Sequence, residues 1–62
     1  MIDIYIHAPS ARDVMEKLLL LRTNNLVPGK DFSFTYMYKQ DPRIAKFTFY
    51  EDKFATLFML KL

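Results

Sequence analysis

Apolar and polar residues alternate strictly along residues 2 to 7. Ile2, Ile4 and Ile6 share one side, and Asp3, Tyr5 and His7 share the other. A period of two with β-branched residues predicts a half-buried strand. Pro9 ends it. Ser10, with Asp13 three residues on, forms a near capping box that starts a helix and sets a carboxylate at its positive end. The spacing predicts a helix over 11–23. Ala11, Val14, Met15, Leu18 and Leu21 gather on its apolar side, opposite Arg12, Asp13, Glu16 and Lys17. Leu20 falls among the polar residues and is expected to be exposed. Arg22 falls on the apolar side in the last turn, where it can snorkel outward. Asn24-Asn25 and Pro28-Gly29 are stop signals.

The period returns to two over 32–39. Phe32, Phe34, Tyr36 and Tyr38 point one way; Ser33, Thr35, Met37 and Lys39 point the other. Gln40-Asp41-Pro42-Arg43 reads as a turn. A third strand follows over 44–50, with Ala45, Phe47 and Phe49 on one face and Ile44, Lys46, Thr48 and Tyr50 on the other. The aromatic residues at 32, 34, 36, 47 and 49 are expected to form the core, with Phe34 and Phe49 both buried. Residues 52–62 fit two patterns. As a fourth strand they would expose apolar residues on both faces. As a helix capped by Asp52 they dock Phe54, Leu57 and Phe58 on the sheet, and this is the preferred reading.

The predicted order is β-α-β-β-α, an α+β two-layer sandwich with both helices on one face of a small antiparallel sheet. A right-handed crossover gives strand order 1-3-2. This is a ferredoxin-like arrangement lacking its last strand; the alternative makes the last segment that strand. A chain of 62 residues is one domain, near the lower size limit for folding alone. It has no cysteine, so disulfides and zinc–thiolate sites are excluded. The net charge of +2 is spread along the chain, without the basic block of a nucleic-acid or membrane patch. The start lacks a signal-peptide pattern and no apolar run spans a bilayer, so a cytoplasmic location without membrane contact is expected.

Candidate chemistry is sparse. Asp3 and His7 lie roughly 13 Å apart along their strand, too far to share a metal ion or a proton. The pairs Asp13/Glu16 and Glu51/Asp52 lack histidine or cysteine neighbours. Gly29 is the only glycine, too few for a phosphate-cradling loop. A non-enzymatic protein without cofactor or metal is therefore expected. At 52% apolar residues, so small a body has more apolar material than one core can hide, which points to a protein partner. Leu20, Met59 and Leu60 are the candidate partner contacts. A two-fold homodimer, with the carboxy-terminal segment at its centre, is expected on the same ground. The alternative function is single-stranded nucleic-acid binding by the outer sheet face, with Tyr5 and Tyr50 as stacking rings and Lys39 and Lys46 beside them.

The segment FTFYEDKFATLFMLKL resembles the tails of short accessory proteins encoded by tailed phages. The resemblance covers roughly the last quarter of the chain. It implies a small protein acting in an infected bacterial cytoplasm, where it would bind and redirect a host protein. It carries no activity and no site residue with it.

Overall fold

In the computed structural model, which describes residues 1–62, five elements follow in the expected order: β1 (Ile2–His7), α1 (Ala11–Thr23), β2 (Phe32–Met37), β3 (Ile44–Phe49) and α2 (Asp52–Lys61). The strands form one antiparallel sheet with β3 between β1 and β2. The register sets Ile2, Phe49 and Phe32 in one row, then Ile4, Phe47 and Phe34, then Ile6, Ala45 and Tyr36. This inner face receives the helices. Phe32, Phe47, Phe49 and Phe58 are completely buried, and the Phe58 ring from α2 stands 5.0 Å from Phe47 and 5.2 Å from Phe49. Such rings bury ~150–250 Å² each, which is how so short a chain fills a core. The preferred reading of the last segment holds. Phe54, Ala55, Leu57 and Phe58 form an inward helical face, and the alternative fourth strand is absent from 52–61. Glu51, rather than Asp52, occupies the N-cap.

Both ends of α1 are fixed by local bonds. The Ser10 amide and hydroxyl both donate to Asp13 Oδ2, at 3.0 and 3.2 Å. At the far end Asn25 takes a left-handed conformation (φ 67°). Its amide donates to Arg22 C=O and the Leu26 amide to Leu21 C=O. That pair of bonds is the Schellman arrangement, and it draws Leu26 onto Leu21. Both side chains are buried. Tyr36 spans from β2 to the end of β1, where its hydroxyl donates to Ala8 C=O at 2.9 Å.

Three further expectations are corrected. Phe34 is 40% exposed although it faces inward, because β2 is an edge strand and the helical layer does not extend over this ring. β2 and β3 stop short, at Met37 and Phe49, so Tyr38 and Lys39 belong to the turn. The buried face of α1 is centred on Val14 and Leu21 and turned toward Lys17 and Leu20. Leu20 is consequently half-buried, whereas Met15, expected inside, is 64% exposed.

Candidate interaction site

The turn of α1 decides which of its apolar residues meet solvent. Four consecutive leucines, Leu18 to Leu21, cannot share one face at ~100° per residue. The Schellman end pins Leu21 inward, so Leu19 projects outward, with 65% exposure. Met15 lies four residues before it and therefore on the same side. Together with Leu18 they line a groove of about 450 Å³, bordered by Arg12, Glu16, Arg22 and Pro28. A second hollow shares Arg22 and Pro28 and adds Asn25, Leu26 and Val27. Val27 is 49% exposed, so the apolar strip continues beyond the helix end. Arginines flank Met15 and Leu19 on both sides, with a single carboxylate, Glu16, between them.

None of the expected partner contacts lines this groove. Leu20 is half-buried, and its carbonyl accepts a bond from Asn24 Nδ2. Met59 and Leu60 are exposed as expected, near the end of α2. The residues that sequence reasoning passed over are Leu19 and Val27, along with the outward setting of Met15. The legible signal was the leucine run itself, which obliges at least one member to face solvent.

The outer sheet face separates the residues proposed for nucleic acid. Tyr5, Lys46 and Thr35 form one row, and Asp3, Thr48 and Ser33 the next. Thr48 Oγ1 donates to Asp3 Oδ1 at 2.7 Å. Tyr50 continues the same face beyond Thr48, so the Asp3 carboxylate lies between the two exposed tyrosine rings. A carboxylate on that path repels a phosphate backbone. Lys39 is in the turn, its ammonium 5.9 Å from the Tyr38 ring, and does not join Tyr5 and Lys46. His7 borders a separate small hollow with Pro9, Asp41, Pro42 and Arg43. No group of three or more histidine, cysteine or acidic residues is close enough to hold a metal ion, and no helix is long and apolar enough to cross a membrane.

Comparison with protein-family models, curated proteins and solved structures gave no match to this chain. The functional reading therefore rests on its own residues.

Proposed function

We propose that the protein acts by non-enzymatic protein–protein contact, with the α1 groove as the docking surface for an apolar segment of a partner flanked by acidic residues. The observation that carries this reading is the pair Met15 and Leu19, both about two-thirds exposed and framed by Arg12 and Arg22. Apolar anchors in a groove supply affinity, and the arginines select the charge of what enters. A second copy is a poor occupant. Antiparallel pairing of two α1 helices about Lys17 sets Arg12 against the partner's Arg22, and parallel pairing sets each arginine against its equal.

The test uses a labelled, helix-forming peptide with leucines four residues apart and glutamates at both ends. Binding measured by fluorescence anisotropy is expected to weaken with salt. Leu19→Glu is expected to weaken it by about tenfold or more, and a peptide with lysine flanks should not bind. Equal binding by wild type and Leu19→Glu, or indifference to the flanking charge, refutes the proposal. Single-stranded RNA and DNA of the same label serve as the competing case; binding of these alone favours the outer sheet face.

A further inference from the structure

The free edge of β1 carries an inference separate from the α1 groove. Ala8 N–H donates to Arg43 C=O at 3.0 Å, continuing the β1–β3 register by one pair. In an antiparallel ladder, pairs that exchange bonds alternate with pairs that do not. The even-numbered residues of β1 therefore bond to β3. The amides and carbonyls of Asp3, Tyr5 and His7 aim away from the sheet, where no strand lies. The other edge is partly closed. On β2 the outward residues are Phe32, Phe34 and Tyr36, and Phe32 C=O already accepts from Gly29 N–H at 2.7 Å.

We infer that β1 pairs with β1 of a second copy, antiparallel and centred on Tyr5, to give one continuous sheet in the order β2-β3-β1-β1-β3-β2. In this register the three outward residues of one strand meet the three of the other. Asp3 faces the partner's His7, Tyr5 faces the partner's Tyr5, and His7 faces the partner's Asp3. Each such pair exchanges two backbone bonds. The side chains match as well. The imidazole N–H can donate to the carboxylate oxygen of Asp3 that Thr48 leaves free, and the two tyrosine rings lie side by side across the dyad. On the inner face Ile4 meets the partner's Ile6. These isoleucines, like Ile2, are only half-buried in the single chain although they point toward the helices. A second strand beside them supplies the cover they lack.

Other registers fit less well. Sliding by one residue aims outward groups at groups already bonded to β3. Sliding by two in one direction sets Asp3 against the partner's Tyr5. Sliding by two in the other brings Asp3 opposite the partner's Pro9, which has no N–H to give. The centred register alone pairs every acid with an imidazole.

The test follows mass against concentration by sedimentation equilibrium, for wild type and for exposed substitutions on β1. Wild type is expected to be a dimer at high micromolar concentration. Tyr5→Lys sets two ammonium groups face to face and is expected to raise the dimer dissociation constant by about tenfold or more. Circular dichroism checks that the monomer stays folded. His7→Asp alone sets two acids opposite each other and weakens the dimer, and adding Asp3→His restores complementarity and recovers it. Hydrogen exchange reads the edge directly. Amides of Asp3, Tyr5 and His7 should gain protection as concentration rises, while those of Phe34 and Tyr36 should not. A monomer throughout, a dimer indifferent to Tyr5→Lys, or protection confined to β2 or α2 overturns the inference.

Discussion

Phe47 and Phe34 sit opposite one another in one row of the sheet, with ring centroids 6.0 Å apart, yet they should respond very differently to truncation. Phe47 is on the central strand, is completely buried, and also neighbours Phe32 and Phe58. Its replacement by alanine should cost ~3–5 kcal/mol. A core of this size gives a total of only ~3–5 kcal/mol, so Phe47→Ala should be unfolded in water. Phe34 keeps 40% of its surface in solvent, so about three-fifths of that cost applies, or ~2–3 kcal/mol. Phe34→Ala should therefore fold when cold and melt roughly 10–20 °C lower than wild type. The assay is thermal and urea unfolding followed by circular dichroism and tyrosine fluorescence; the chain has four tyrosines and no tryptophan. Phe47→Leu provides a milder companion in case Phe47→Ala yields no soluble protein. Equal losses at the two positions, or a larger loss at Phe34, would refute the placement of the core under β3.

Tyr36→Phe removes the hydroxyl bond to Ala8 C=O without changing the ring, and a loss of about 1 kcal/mol in urea unfolding is expected. At Asn25 the left-handed backbone decides the sign: Asn25→Ala should lose about 1 kcal/mol, while Asn25→Gly should hold or gain slightly in melting temperature.

The elements were legible because their periods are clean. Ile2–His7 alternates without a break and Phe32–Tyr36 nearly as cleanly, and Ser10 and Asp13 announce the start of α1 in plain residue types. The tail was harder, since Phe54 to Leu62 is apolar enough for either period. The deciding fact is that the inner sheet face needs cover near Phe47 and Phe49, and Phe58 supplies it. Strand alternation assigns a residue to a face but not its distance from an edge, so Phe34 and Phe49 looked alike in the sequence. The face of α1 was misread for a related reason. A helical wheel averages hydrophobicity around the axis, whereas the orientation here follows from the Leu26 amide bonding to Leu21 C=O and from where the next loop carries the chain. The same cause hid the α1 groove, because Leu19 becomes exposed only once Leu21 is pinned inward.

The placement of β3 between β1 and β2 also sets an order of events during synthesis. The first two strands do not pair with each other; both wait for the third, and Ile2 must find Phe49 about three-quarters of the chain away. Until Ile44–Phe49 has left the ribosome, the growing chain holds a capped helix between two strands with nothing to pair against. Pairing over such a distance is the kind of event that slows folding and leaves sticky segments uncovered while it is pending. A chain halted before Ile44 would contain most of the residues and none of the sheet, and its isoleucine and phenylalanine strands would be open to capture by any chaperone nearby.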